Sequence, residues 1–283
     1  MIYRRRRQVR LFGIVYLALS TVAGSSAKPQ SDYSLSYHFH SKQEEHYNLD
    51  IRTSAWTPLP NHGRDVIFSS AESVVIRERV AKLQQNSAAV LAIKTLSGNE
   101  VLNGSTITPN TKAHSVLISI TSHGRILSAS NAADGMADEG LTVPVLQSGM
   151  FTLGTMTLPS FPIHVGQHWT QNIDINSSGK AQQLKMRATF LRVEPVGLYT
   201  AASIKAVLSG TLSIPASGLE GKTAGNKNLP CHVWMVFNTD VAIKQGIVLR
   251  SAILADIRLV ATESDGSKKP VMISMQIGSD LID

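Results

Sequence analysis

Alternation of apolar and polar residues is the dominant pattern along this chain. In residues 33–40, YSLSYHFH, every second residue is apolar and the others are serine or histidine. Such a segment has one apolar side and one polar side, as a strand does when one face of its sheet is buried. Residues 46–53, HYNLDIRT, continue the alternation. We therefore predict that the chain folds mainly into β-strands, and that residues 33–40 form one of them.

The clearest signal for strand pairing lies near the C-terminus. Alternate apolar residues in 257–261 and again in 271–277 flank the dipeptide Asp265-Gly266. An Asp-Gly pair between two alternating runs is typical of a tight β-hairpin turn. We predict an antiparallel hairpin here.

Several further runs have strand-like patterns and are separated by turn residues such as Ser97-Gly98-Asn99 and the glycine-rich stretch 215–230. Residues 71–85 fit either a helix or a strand, but the β-branched run Val74–Ile76 favours a strand, which is our prediction. The other predicted strands are Ala89–Leu96, Ser115–Ile120, Arg125–Ser130, Gln183–Val193, Leu198–Ile214, Cys231–Asn238 and Ile247–Ile257.

One α-helix is predicted near the middle of the chain. Thr142 is a suitable N-cap, and apolar residues recur at helical spacing over 145–153. The stretch that follows, 158–175, reads LPSFPIHVGQHWTQNIDI and ends in an alternating run. We predict a corner that leads from the helix into the next strand, with Trp169 packed beneath its turn and Phe161 covering the sheet.

Two short segments resemble each other. Residues 124–130, GRILSAS, and residues 246–252, GIVLRSA, each place a glycine directly before a strand-like run. This similarity suits a long antiparallel sheet with a helical interruption midway.

Residues 1–27 have the features of a signal peptide. Five arginines precede an apolar run over 11–23, and Ser25-Ser26-Ala27 supplies the small residues of a cleavage site. A bilayer-spanning helix needs about 20 apolar residues, and this run is shorter. We predict cleavage after Ala27, with an uncleaved N-terminal anchor as the alternative. The mature chain, 28–283, is predicted to be a single exported domain, either periplasmic or secreted.

Removal of the signal changes the charge balance. The whole chain has 27 Lys and Arg against 20 Asp and Glu, and its pI is about 9.6. Without the five signal arginines, 22 basic residues remain against the same 20 acidic ones. A near-neutral chain gives no electrostatic reason to expect nucleic acid as a partner. Cys231 is the only cysteine, so we predict a buried thiol and no disulfide-linked partner.

Residues in the middle of the chain resemble a motif of a known protein family. The residues that carry it are Leu158-Pro159, Pro162, Val165-Gly166 and Trp169, followed by the strand residues 237–240 and 246–249. They resemble a family of exported bacterial domains of unassigned function, similar in fold to the periplasmic lipoprotein-carrier half-barrels. His168 stands where that family usually has an acidic residue. The resemblance implies a strongly curved antiparallel sheet around an apolar cavity, partly covered by one or two helices.

Candidate catalytic and metal-binding groups are few. His38, His40 and His46 are close enough in sequence to chelate zinc or copper, but no acidic or cysteine partner follows at a short regular spacing. We predict that they are polar residues facing solvent. The chain has no G-x-S-x-G motif, and its glycine-rich loop does not match a phosphate-binding loop. We therefore predict no enzymatic activity, no cofactor and no metal.

The apolar residues in and after the predicted helix are the best candidates for a ligand cavity. We predict that the protein is a non-catalytic envelope protein that accommodates a lipid or a lipoprotein acyl chain. The alternative is a scaffold or adaptor that binds another envelope protein through sheet edges or loops, without a small ligand. The cavity candidates are Met150, Phe151, Met156, Leu158, Phe161 and Trp169.

Overall fold

A computed structural model describes residues 31–107, 115–131, 156–177, 180–215, 228–262 and 266–282. Twelve strands account for most of these residues, and two short 3₁₀ turns lie at Pro60–His62 and Gln85–Ser87. The strands are β1 Glu44–Pro58, β2 Arg64–Leu83, β3 Ala89–Leu102, β4 Ser105–Ile107, β5 Ser115–Ile120, β6 Ile126–Asn131, β7 His168–Ser177, β8 Lys180–Val196, β9 Tyr199–Pro215, β10 Asn228–Ala242, β11 Val248–Thr262 and β12 Lys268–Ile282.

All twelve strands belong to one open antiparallel sheet. Its order is β6-β5-β3-β2-β1-β12-β11-β10-β9-β8-β7, and β4 pairs with β3 outside this path. The prediction of a mainly β protein with an antiparallel sheet is confirmed. The C-terminal hairpin is also confirmed, because Ile257 in β11 lies opposite Ile273 in β12. The ambiguous segment 71–85 lies mostly within β2, as predicted.

The predicted helical cover is not confirmed. The helix expected over 142–153 lies outside the described residues, and the described part of the chain contains no α-helix. Two extended segments instead pack against the sheet. We call residues 31–40 the strap and residues 156–167 the crossing segment.

The prediction that residues 33–40 form a strand is wrong. Only Tyr33 makes a bridge, with two backbone hydrogen bonds of 2.7 and 2.9 Å to Ile163 in the crossing segment. Leu35 and Tyr37 are buried while Ser34 is exposed, so the alternation did identify the buried side. Hydrophobic periodicity records which side chains are covered, but it does not show whether a neighbouring strand pairs with the backbone.

The prediction of a turn at Ser97-Gly98-Asn99 is wrong, because these residues lie within β3. Gly98 is opposite Val74 of β2. A Cβ atom at position 98 would overlap Val74 Cγ1, so the glycine makes room for this valine side chain. The local sequence resembles a turn, whereas the requirement for glycine comes from the neighbouring strand.

The buried side chains form two large clusters on the sheet. The first packs mainly on β7–β12 together with the strap and the crossing segment. The second packs on β1, β2, β3 and β5. Phe39 of the strap contacts both clusters, so the strap lies where the two halves of the core meet.

Candidate functional site

A groove of about 650 Å³ lies beside the strap. Residues 34–40 form one wall, and the end of β2 with the turn that follows it contributes Leu83, Gln84, Ser87 and Ala88. Ser122, His123 and residues 159–161 complete the lining. A recess of this volume is within the usual range for small-molecule sites. We refer to it as the groove.

Side-chain hydrogen bonds hold the crossing segment to the strap and to β7. The Tyr37 hydroxyl donates to the Met156 carbonyl and accepts from the Met156 amide, at 3.1 Å in each case. The indole N–H of Trp169 donates to the Thr157 carbonyl at 3.3 Å. Since these groups are buried, unsatisfied donors and acceptors would be costly, and the bonds therefore define the path of both segments.

Two glycine-containing loops hold the strap from both sides. The Tyr37 amide donates to the Ser122 carbonyl at 2.6 Å, and the His38 amide donates to the Gly246 carbonyl at 3.1 Å. Gly124 and Gly246 both have positive φ angles, of 79° and 64°. A Cβ atom on Gly246 would overlap the His38 backbone, so the close approach of this loop requires glycine.

The predicted cavity residues occupy different environments. Met156, Leu158 and Trp169 are buried in the first cluster, whereas the Phe161 side chain is 48% exposed and lines the groove. Trp169 lies at the start of β7, as the predicted corner requires. Met150 and Phe151 lie outside the described residues. Of the four candidates within the described residues, Phe161 alone lines the groove.

Other apolar groove residues were not among the predicted candidates. Leu35 and Tyr37 form buried parts of the lining, Phe39 is part-buried, and Leu83 is 46% exposed at the end of β2. The alternation in 33–40 could have identified the first three. Nothing in the sequence near Leu83 indicates that it faces a groove, because this depends on how the strap crosses the sheet.

Two of the candidate histidines, His38 and His46, make local contacts. His38 Nδ1 lies 3.1 Å from the Lys244 carbonyl, which can only accept, so this nitrogen carries the proton. His38 Nε2 lies 2.9 Å from the Ser36 hydroxyl, from which it accepts a hydrogen bond in the neutral imidazole. The Nε2 atom of His46 lies 3.7 Å from Glu44 Oε1. Across the described ranges, no group of three or more His, Cys, Asp or Glu side chains is arranged to hold a metal ion.

An inward-facing carboxyl group lies next to the groove. Glu78 of β2 lines a cavity of about 20 Å³ together with Tyr37, Phe39 and Tyr47, and this is room for about one water molecule. Burial, reinforced by Glu45 directly opposite on β1, raises the pKa of Glu78 to about 8. Burial also raises the pKa values of Tyr37 and Tyr47. Glu78 is therefore mainly protonated at neutral pH.

Within the part of the chain that the structure describes, no helix has both the length and the apolar character needed to cross a bilayer. Comparison with models of known protein families gives no match, and comparison with curated proteins gives none either.

Proposed function

We propose that the protein is a non-catalytic, exported cell-envelope protein that holds an apolar ligand, such as a lipid or a lipoprotein acyl chain, in the groove. The observation that carries this proposal is the pair Leu83 and Phe161. Both side chains are about half exposed, and both line a recess of about 650 Å³ whose deeper wall includes Leu35 and Tyr37. Covering this apolar surface would contribute about 25 cal/mol per Å² to binding. Export is inferred from the signal-like residues 1–27.

We also propose that the sheet is curved into a half-barrel, with the strap and the crossing segment covering its apolar face. Supporting this, Arg125 next to β6 lies 3.2 Å from Asp174 in β7, although these strands are at opposite ends of the sheet order. Ten strand spacings of about 4.8 Å would separate the same strands by about 48 Å in a flat sheet. Strong curvature accounts for the short distance.

The first experiment is native mass spectrometry of the protein purified without detergent, followed by organic extraction. A stoichiometric adduct that extracts as a lipid supports the ligand proposal. A ligand-free mass, with no uptake when membrane lipids are offered, overturns it.

A variant pair locates the site. Leu83→Asn should weaken binding of a fluorescent acyl probe by about tenfold, because it removes apolar groove surface. Leu254→Asn is the matched control, since Leu254 is also 46% exposed but lies on β11, away from the groove. Equal losses in both variants would show that the probe binds exposed apolar surface without using the groove.

The second candidate function is a scaffold that binds another envelope protein. It is favoured by Trp234 on β10 and Leu254 on β11, each 46% exposed on strands that pair with each other. Exposed large apolar side chains close together are typical of protein contact sites. Cross-linking in the envelope should then capture a partner with wild type and Leu83→Asn, but not with Trp234→Ser.

A further inference from the structure

The polar part of the groove lining has an unusual composition. Its described residues include five serines, three histidines and Gln84, but no Lys, Arg, Asp or Glu. The serines are Ser34, Ser36, Ser87, Ser122 and Ser160, and the histidines are His38, His40 and His123. Among these described residues, the groove therefore offers hydroxyl, amide and imidazole groups next to its apolar surface, without a fixed charge.

Part of this polar lining is already engaged within the protein. Ser36 bonds to His38, and Ser122 lies 3.5 Å from the His123 ring. Gln84 accepts from Ser119 through its side-chain oxygen at 3.2 Å, which leaves its amide N–H₂ group to donate elsewhere.

Three of the groove hydroxyls stand apart from these contacts. Ser34, Ser87 and Ser160 are exposed, and within the described chain they make no side-chain hydrogen bond. Hydroxyl groups both donate and accept, so they can pair with hydroxyl or amide groups of a ligand. They cannot neutralise a full charge as an Arg or Lys side chain would.

From this lining we infer that the ligand is an uncharged amphiphile, with an acyl chain on Leu83 and Phe161 and a head group that carries hydroxyl groups. Acylglycerols and acyl glycosides share this chemistry. The inference rests on the proposed ligand-binding function and specifies its ligand class. A phosphate or carboxylate head group would find no counter-charge among the described lining residues and would keep its water.

The test compares three probes with the same chain length by isothermal titration: a monoacylglycerol, an acyl glucoside and a free fatty acid. Measurements are made at pH 8, above the range in which an ordinary imidazole titrates. At least one neutral probe should bind about tenfold more tightly than the fatty acid, since two or three added hydrogen bonds contribute about this factor. The stronger of the two neutral probes identifies glycerol or sugar as the preferred head group.

A double variant, Ser87→Ala with Ser160→Ala, separates head-group recognition from general damage. It should weaken binding of the preferred neutral probe by about tenfold and leave fatty-acid binding unchanged. Ser73→Ala is the control, because Ser73 is exposed on β2 and is not part of the groove lining.

The outcomes distinguish the two proposals. Equal binding of all three probes, or tighter binding of the fatty acid, overturns the inferred head-group class and leaves the groove as an apolar site. Failure of every probe to bind overturns the proposed function as well. Loss of fatty-acid binding in the double variant also overturns head-group recognition, because these hydroxyls would then act on the acyl chain or on the fold.

Discussion

Arg125 Nη2 donates to Asp174 Oδ2 at 3.2 Å and so joins residues at opposite ends of the strand order. Arg125 lies one residue before β6, and Asp174 lies within β7. Asp174 also accepts from Gln183 of the neighbouring strand at 2.8 Å. Both members of the ion pair are more than half exposed. The contact therefore lies where the two sheet edges approach each other, but it is a solvent-exposed ion pair and not a buried one.

Replacing Asp174 with Asn should lower the free energy of unfolding by less than about 1 kcal/mol, because exposed ion pairs contribute little. Urea denaturation in low salt and in 1 M NaCl measures this effect, which should shrink at the higher ionic strength. A loss above about 2 kcal/mol that persists in salt would show that the pair has a larger structural role.

The loop at Gly246 should tolerate no side chain. Gly246→Ala should cost about 3 kcal/mol or more, because it combines a positive φ angle with overlap against the strap. Gly266→Ala is the matched control: its φ of 81° is equally unusual, but nothing lies within 4 Å of the added Cβ. The control should cost about 1–2 kcal/mol.

Urea denaturation of the two glycine variants gives the comparison, and limited proteolysis reports whether residues 31–40 become accessible. If Gly246→Ala and Gly266→Ala are equally destabilised and equally resistant to protease, the strap does not depend on close contact with this loop.

The stability of the protein should fall as pH rises from about 4.5 to about 8. Glu78 keeps its proton in the folded state up to about pH 8, whereas its ordinary pKa is 4.5. The folded state thus binds more protons than the unfolded state in this window, so raising the pH favours unfolding. The decline should level off above pH 8.

Glu78→Gln should remove much of this pH dependence and should stabilise the protein above pH 8, as measured by urea denaturation at several pH values. Glu44→Gln is the control. Glu44 lies on β1, the strand next to β2, and its Oε1 atom is 3.8 Å from Arg77 Nη1. An unchanged pH profile in Glu78→Gln would show that another group causes it.

Cys231 should be unreactive in the native protein. The residue is fully buried in the first cluster, and burial raises the pKa of its thiol to about 11. Because the thiolate is the reactive form, a disulfide reagent at pH 8 should modify it at least about 100-fold more slowly in the folded protein than in urea. Rapid labelling without denaturant would indicate that β10 opens locally.

Much of the sheet could be predicted from the sequence because each strand carries its own pattern. The alternation in β11 and β12 and the Asp265-Gly266 pair between them give the hairpin directly. The β-branched run Val74–Ile76 favours a strand over a helix in residues 71–85, and most of that segment lies in β2. Cys231 in its apolar strand was expected to be buried, and it is. These features depend on neighbours within a few residues.

Features that depend on distant segments could not be predicted in the same way. Side chains alternate between the two faces of β2, so Glu78 lies on the same face as the buried residues Ile76 and Val80. A charged carboxylate is costly in this environment. Phe161 was expected to cover the sheet, yet it is half exposed because Leu158 and Ile163 provide the buried contacts of the crossing segment. Residues 33–40 have a strand's alternation but are held by loops that contain Gly124 and Gly246.

The pairing of β1 with β12 has a consequence for folding after synthesis. His46 lies opposite Ile282, so β1 obtains one of its two neighbours only after β12 has been synthesised. Local hairpins can form earlier, but this central pairing has a very large sequence separation and is expected to be slow. Until it forms, both strands present unpaired edges that favour aggregation. A newly synthesised chain would therefore benefit from a chaperone that covers these edges until the two strands pair.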